Sequence, residues 1–340
     1  FYYLLMDRIE IDGSYGEGGG QILRSAIAVS AITGRGVSIR NIRKNRPRPG
    51  LGIQHIKSIE LAGRMTDASI EGLAPGSTSI TFIPGKIRGG EYSLDLGTAG
   101  SISLVLQSVT PIAAYAPAPV TFHITGGTDV RWSPTVDYFQ NVTLPALRSF
   151  GFKGELRIEN RGFFPVGGGK VTAVIEPARL HGVNAESPAP PSVRGISATS
   201  RLPLHVARRQ AESAQKYLEG MGIEVSGISL ESRNDRSTGS SITLFSGFLG
   251  GSALGERGLP AEKVGAEAAA IIANEIESGA AVDPFLCDQL ITFMALSEGP
   301  SVITTGSVTS HAVTNMWIME KMTGRRFTVE KSRVVFIRSV

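Results

Sequence analysis

Apolar and polar residues alternate over residues 8–12 (RIEID), the period-two pattern of a strand with one buried face. From residue 20 the period changes. Ile22, Leu23, Ala26, Ile27 and Ile32 recur at helical spacing up to residue 33, where Gly34 supplies a stop. Residues 37–42 predict a second strand. Residues 51–65 predict a second helix, with Ile53, Ile56, Ile59 and Leu61 on its apolar face. Two short strands, 69–71 and 79–83, complete the order βαβαββ.

The order then recurs. Residues 91–96 read as a strand, 101–114 as an apolar helix, 120–124 as a strand, and 133–150 as a second helix that Pro145 should kink or shorten. Strands at 152–158 and 170–175 close this unit across Gly167-Gly168-Gly169. A third copy comprises a helix at 284–296, a strand at 301–304, a helix at 310–322 and strands at 327–330 and 333–338. Gln21 and Gln289 stand at the start of the first helix in the first and third units, and Gln107 lies inside that of the second. Self-similarity on this scale predicts three packed βαβαββ modules. The third is interrupted. A linker, SPAPPS at 187–192, leads into strands at 193–199, 224–231 and 241–246 and helices at 204–219 and 261–277. The expected organisation is a large unit of residues 1–185 together with 280–340, and a small inserted α/β unit of residues 186–279.

Composition sharpens this picture in four places. With 340 residues, 41% hydrophobic and 19% charged, the chain reads as globular and longer than one core usually serves. The single cysteine, Cys287, excludes an internal disulfide and a cysteine-based zinc cluster; it fits a reducing cytosol and reads as a small buried hydrophobe. Residues 96–122 carry no charge, but Pro111, Pro117 and Pro119 interrupt them, so a buried helix followed by a buried strand is expected rather than a membrane span. The opening FYYLLM has no basic region before it and is not read as a signal peptide; Met6 is the expected natural start.

Net charge is only +4, yet six of the fourteen residues from 35 to 48 are basic. That cluster belongs to one of three stretches with candidate chemistry. The first is GSYGEGGGQILRS at 13–25, a glycine loop leading into a helix, which sets the carboxylate of Glu17, the amide of Gln21 and the guanidinium of Arg24 beside backbone N–H groups suited to phosphate. It is neither a G-x-G-x-x-G nor a GK[ST] loop. The second is NIRKNRPRPGLGIQHIK at 41–57, whose arginines can neutralise phosphates in a loop stiffened by Pro47 and Pro49, with Gln54 and His55 in the following turn. The third is SVTSHAVTN at 307–315. Of five histidines His311 is set apart by its context: it follows a strand and a Ser/Thr-rich turn and opens a helix capped by Thr309 or Ser310, where the helix dipole favours anions and a neutral, nucleophilic imidazole. No K-x-D-G occurs; KIRG at Lys86 lacks the aspartate. Arg201, Arg208, Arg209, Arg233 and Arg236 of the insert are scattered and read as solvated surface, and no RNP-type aromatic strand or zinc knuckle is present.

Together these three stretches resemble the RNA 3′-terminal phosphate cyclases, and the resemblance runs from about residue 9 to the end of the chain. It implies an α/β fold of the α+β type: three βαβαββ modules similar to the C-terminal domain of translation initiation factor three, plus a smaller inserted α/β domain. It implies a ligase that forms a phosphoric-ester bond. ATP is consumed, an RNA 3′-phosphate becomes a 2′,3′-cyclic phosphodiester, and AMP and pyrophosphate leave.

In that resemblance His311 is the residue adenylated, and Arg24, Arg43, Arg46 and Gln54 match residues that bind phosphates of ATP or of the RNA end. Glu17 matches a carboxylate linked to a divalent metal, Mg2+ or Mn2+, and to the nucleotide. Asp288 and Gln289 match residues near nucleotide and nucleophile, and Gln107 and Phe285 complete the expected nucleotide contacts. Phe285 stands where the family can carry a tyrosine, which keeps base stacking and loses a phenolic hydrogen bond. The implied partners are ATP and RNA with a 3′-phosphate end, in the cytoplasm and away from any membrane; a homodimer is compatible with the resemblance. Two rivals share similar architecture: a non-catalytic cyclase-like ribosome-assembly factor, which lacks the histidine, and an enolpyruvyl-type transferase, which needs neither ATP nor a nucleophilic histidine.

Overall fold

In a computed structural model, residues 8–188 and 191–340 are described. The expectations for Met6 and its neighbours, and for the middle of the SPAPPS linker at 189–190, lie outside the described residues. The first unit runs β1 (Ile9–Asp12), α1 (Gly20–Thr33), β2 (Val37–Arg40), α2 (Ile53–Thr66), β3 (Ser69–Glu71) and β4 (Ile80–Ile83). Gly34 ends α1 in the left-handed conformation, φ 71°, and its N–H returns to the carbonyl of Ser30. The strand expected over 37–42 stops at Arg40, because Asn41 and Arg43 take positive φ values of 55° and 52° and turn the basic run away from the sheet.

The second unit runs β5 (Gly90–Asp95), α3 (Ile102–Ala114), β6 (Val120–Gly126), α4 (Val136–Tyr138), a π-helical turn (Phe139–Thr143), α5 (Leu144–Ser149), β7 (Lys153–Asn160) and β8 (Gly169–Glu176). At Pro145 the helix expected over 133–150 is interrupted by a π turn and resumes as the six-residue α5. A proline ring collides with the carbonyl four residues back and cannot donate to it. The wider π turn just ahead of Pro145 moves that carbonyl aside, and the chain continues. Pro111 likewise lies inside α3 instead of breaking it, and the Gln107 carbonyl four residues before it receives no helical N–H.

The third unit begins with β9 (Asn184–Ala185), only two residues long. After the inserted segment it continues through α8 (Pro284–Leu296), β14 (Ser301–Thr305), α9 (Ser310–Thr323), β15 (Phe327–Lys331) and β16 (Val335–Ser339). The three sheets share one topology. Their orders are β1-β2-β4-β3, β5-β6-β8-β7 and β9-β14-β16-β15. In each, the first pair is parallel and the other two pairs are antiparallel. Strands such as β1 and β5 alternate buried and exposed residues, as expected for sheets with one solvated face. The helices meet on the other side: α1 packs on α2, α3 and α9, and α9 packs on α8. One continuous buried cluster runs through all three units, from Ile11 and Val29 through Leu106 and Phe139 to Leu290 and Ile318.

The inserted segment contains β10 (Val193–Ser200), α6 (Leu204–Gly220), β11 (Val225–Arg233), β12 (Gly239–Ser246), β13 (Leu249–Leu254) and α7 (Ala261–Ser278). Its sheet has a different order, β11-β10-β12-β13, and its own buried cluster around Ala214, Leu244 and Ala268. β13 (LGGSAL) has no counterpart among the predicted strands. Its glycines hide the period-two pattern, yet they let α7 and Tyr138 approach closely: a Cβ at Gly251 would lie 2.7 Å from the Ala268 carbonyl, and one at Gly250 2.4 Å from the Tyr138 ring.

A buried guanidinium ties the insert to the second unit. Arg161, 1% exposed, makes paired hydrogen bonds to Asp137 at 2.7 and 3.1 Å, a third to Asp129 at 3.3 Å, and one through Nε to Glu231 of the insert at 2.9 Å. Burial raises the Asp137 carboxyl even though Arg161 pulls the other way. Burial would lower Arg161, but Asp137 and Asp129 hold it well above the ordinary arginine value. Removing one partner of such a pair leaves uncompensated buried charge and costs about 3–5 kcal/mol. Arg161→Met should therefore melt well below the parent protein. The sign of its pH dependence follows from Asp137: with a folded-state pKa above the unfolded one, its contribution is present at low pH and lost as pH rises. Without Arg161 to oppose burial, the Asp137 carboxyl is raised further still, so the variant loses more of this stability than the parent as pH rises. The melting deficit should be larger at pH 8 than at pH 5, and an equal deficit at both pH values would contradict the assignment.

Candidate active site

Three loops deliver the candidate residues to one place because each leads into a helix of the central layer. The loop after β1 carries Glu17 into α1, the loop after β2 carries Arg43 and Arg46 into α2, and the turn after β14 carries Ser310 and His311 into α9. The N-caps of α1 and α2, Gly19 and Gly52, offer no side-chain oxygen, so the first N–H groups of α1 have no side-chain cap and point toward the site. α9 is capped by Thr309, whose hydroxyl accepts from the Ala312 N–H at 2.9 Å.

Glu17 is the hub. One carboxylate oxygen accepts from the Ser310 hydroxyl, and the other lies 3.2 Å from Arg46 Nη2 and 3.2 Å from His311 Nε2. The Ser310 hydrogen bond, helped by His311 and Arg46 and opposed by burial, lowers the Glu17 pKa, so the group is ionised at neutral pH. His311 is lowered too. Burial is the main cause; Glu17 resists it, and Arg24 and Arg46 add to it. The neutral imidazole expected from the helix start is thus set chiefly by desolvation and two guanidinium groups. With its Nε2 facing Glu17, the ring has a nitrogen lone pair to spare.

The loop backbone fits against α9 at Gly16. Its φ is 57°, and a Cβ there would lie 2.4 Å from the Thr314 hydroxyl. Tyr15 stacks on Trp317 of α9 with ring centroids 4.0 Å apart, clamping the same loop.

Arg24 lies deeper. It donates to Gln21 Oε1 at 2.7 Å, while its buried Nε has no partner among the described residues. Burial lowers its pKa to about 10, with Asp288 opposing. Asp288 is raised by burial to about 7 and holds the Thr309 hydroxyl at 2.5 Å. Gln21, Gln107 and Gln289, one from each unit, line a single cavity with Arg24 and Thr143. Gln289 Oε1 accepts from Thr143 at 3.2 Å. Phe285 is 60% exposed one turn before Gln289, and Gln289 Nε2 donates to its carbonyl.

The remaining candidates stand on the α2 side. Arg43 donates to the Gly50 carbonyl at 2.9 Å, and burial and Arg46 both lower its pKa. Gln54 accepts from the Ser101 N–H at 3.2 Å, at the foot of α3.

Sequence reasoning missed two residues that organise the site. His55 Nδ1 accepts from the Gly52 N–H at 3.1 Å, and burial, with Arg24 and Arg43 nearby, pushes the imidazole down to about 4. It stays neutral among arginines, and a Cβ on Gly20 would lie 2.5 Å from its Nε2. That bond is the returning half of a capping box, and Gly52 has no side chain to supply the other half, so the sequence shows no capping-box signature there. Asn315 is fully buried; it donates to the Asp288 carbonyl at 2.7 Å and accepts from Ser25, joining α1, α8 and α9. It closes the third candidate stretch, 307–315, but its residue type alone assigned it no role.

A family model described as RNA 3′-terminal phosphate cyclase matches residues 15–329. Curated proteins of that name are similar over nearly their full length. The protein from Methanosarcina barkeri is 50% identical over 98% of this chain and 99% of its own, and that from Archaeoglobus fulgidus is 49% identical over 96% and 99%. The protein from Pyrococcus furiosus is 46% identical over 97% and 99%.

The electrostatics of the hub predict opposed shifts. Glu17→Gln removes the carboxylate that supports the His311 imidazolium, so the His311 pKa should fall further. Arg46→Ala removes a charge that opposes it, so the pKa should rise. Titration of the His311 ring C–H resonances by NMR reads both, and shifts of the same sign in the two variants would refute the arrangement.

Proposed function

The chain belongs to the RNA 3′-terminal phosphate cyclase family, and on that premise we propose that it uses ATP to close an RNA 3′-terminal phosphate into a 2′,3′-cyclic phosphodiester. The observation that carries this reading is the setting of His311: a neutral imidazole at the start of a helix, 3.2 Å from an ionised carboxylate and faced by two arginines. A nucleophile for a polyanion needs a free lone pair and surrounding positive charge, and this setting supplies both.

Three displacements follow. A ring nitrogen of His311 attacks the α-phosphorus of ATP; the P–N bond forms as the α–β bridging bond breaks and pyrophosphate leaves. An oxygen of the RNA 3′-phosphate then attacks the same phosphorus, releasing the imidazole and giving an RNA end joined to AMP. Finally the neighbouring 2′-hydroxyl attacks the terminal RNA phosphorus, its proton passes to solvent, and AMP leaves. Arg24, Arg43 and Arg46, with the free N–H groups of α1, hold the phosphate oxygens on which charge develops. Gln54, Gln107, Phe285, Asp288 and Gln289 are assigned to the nucleotide, with Phe285 offering an open face for stacking.

A divalent cation, Mg2+ or Mn2+, fits the donors present. Such an ion can be held mainly by substrate phosphates with one or two carboxylates. Glu17 is ionised and 36% exposed, and among the described residues no cage of three His, Cys, Asp or Glu side chains competes for it. Bound there, the ion would neutralise triphosphate charge. Among the described residues no helix is long and apolar enough to cross a membrane.

Incubation with ATP labelled in the α-phosphate should leave label on the protein that survives alkali and is released by acid, as P–N bonds are. ATP labelled in the γ-phosphate should leave none. Peptide mapping should place the label within residues 307–315, and His311→Ala should abolish both labelling and cyclisation. The same variant should still cyclise, weakly, an RNA end that already carries AMP. Uptake of AMP by His311→Ala at the parental rate would place the nucleophile elsewhere. The Arg43→Ala and Arg46→Ala variants should each lose about 10²–10³ in turnover, the scale for removing one preorganised charge-stabilising contact, with melting temperatures unchanged; full cyclisation by the double variant would reject their role.

A further inference from the structure

A second, much larger cavity of about 1080 Å3 opens beside the site, between the second unit and the inserted segment. Its inner end is Gln54 and Ser101, and Gln54 also faces the hollow next to Arg24 and His55. Gln54 therefore stands between this cavity and the hollow beside Arg24. Its outer wall is formed by two loops of the second unit, 129–132 and 163–164, facing the starts of α6 and α7 and the turn after β13.

We propose that this cleft is the track for single-stranded RNA, holding the nucleotides just upstream of the reacting 3′ end. The proposal rests on the cyclase reading and specifies how its substrate is gripped. Three observations carry it. Trp132 and Phe164, on the cleft wall, are 93% and 76% exposed, the two most exposed large hydrophobic side chains among the described residues. Water-exposed aromatic faces beside a groove are what stacked bases use, independent of base identity. Trp132 is also held at φ 60°, a left-handed conformation unfavourable for any residue with a Cβ, although its ring contributes almost nothing to the core.

The second observation is charge. Arg257 lines the cleft and has no hydrogen-bond or ion-pair partner among the described residues, and the stem of Arg236 lies over Gly168 of the second unit. Of the acids on the wall, Asp129 is buried and meets Arg161 through one carboxylate oxygen, and Glu256 forms an exposed pair with Arg131. Exposed pairs of that kind are weak and exchange readily for phosphate. The third is size and shape. The cleft exceeds what one nucleotide fills, and its aromatic platforms require bases that are unstacked, which a duplex end does not offer.

The test uses the full-length protein and RNA oligonucleotides ending in a 3′-phosphate, with 4-thiouridine placed two to four positions from the end. Irradiation should cross-link the RNA to peptides containing residues 129–132, 163–166 or 254–260. Trp132→Ala and Phe164→Ala should each raise KM for a single-stranded oligonucleotide about tenfold, in line with loss of one stacked base. KM for a dinucleotide ending in a 3′-phosphate should not change, nor should self-labelling by α-labelled ATP, which involves no RNA. The parent protein should prefer a single-stranded end over a blunt duplex end, and the variants should lose that preference. Normal turnover with cross-links elsewhere and parental KM values would overturn the track and leave the cyclase reading standing. Conversely, a parent protein that neither takes up AMP nor cyclises any RNA, yet cross-links at these loops, would overturn the reaction while supporting the RNA track.

Discussion

The site depends on the packing of α1 against α9. Glu17 and Ser310 are 293 positions apart in sequence, yet their side chains share a hydrogen bond. The distance is closed by the helices behind them. Ser25, one turn and a half into α1, donates to the buried amide of Asn315 in α9, and that amide in turn holds the backbone of Asp288 in α8. A buried amide on one helix with partners on two others tolerates little sliding, since any shift leaves a polar group unsatisfied. The same register seats the glycine loop on α9 through Gly16 and the Tyr15–Trp317 stack. Helix packing thereby becomes the placement of a carboxylate next to an imidazole.

That placement also settles the charges. Around His311 and His55 the nearest ionised groups are mostly arginines, and both imidazoles are driven toward neutrality by burial first and by those cations second. Glu17 is the exception, kept ionised by a hydroxyl, a guanidinium and an imidazole. A hollow of this kind has positive charge to spare and backbone N–H groups at a helix start, and it becomes balanced when phosphate enters. Asp288, raised to about 7 behind Arg24, shows the opposite response: a carboxyl out of reach of water gains little from the same cations.

The inserted segment is joined to the rest by an apolar contact, through Phe245, Ile196 and Phe248 against the main buried cluster, and by polar contacts. Arg161 and its carboxylates form one link. Others are the Thr135–Thr243 hydroxyl pair at 2.8 Å and Asp283, which caps α8 while accepting from Tyr138 and from the Gly250 N–H. Directional contacts of this sort fix orientation more than they add stability. They hold two walls apart along the cleft that runs outward from Gln54.

Much of this protein was legible in its sequence. Periods of two and 3.6 located α1, α3, α8 and α9 to within a residue or two, since each buries a continuous apolar face and has a capping residue at one end with a local reason to be there: Gly34, Ser101, Asp283 and Thr309. Glu17, Arg24, Arg46 and His311 could be singled out because loops rich in glycine and arginine leading into helices have a local physical meaning. What escaped was decided by partners remote in the chain. β13 is a strand because β12 pairs with it, and the π turn before Pro145 exists because a proline had to be accommodated within a packed helix. His55 and Asn315 were ordinary polar residues until three helices closed around them. The wide cleft beside the site appears only where the insert faces the second unit. Local periodicity determines which segments form; burial, register and the pKa values that follow from them belong to contacts that no single segment contains.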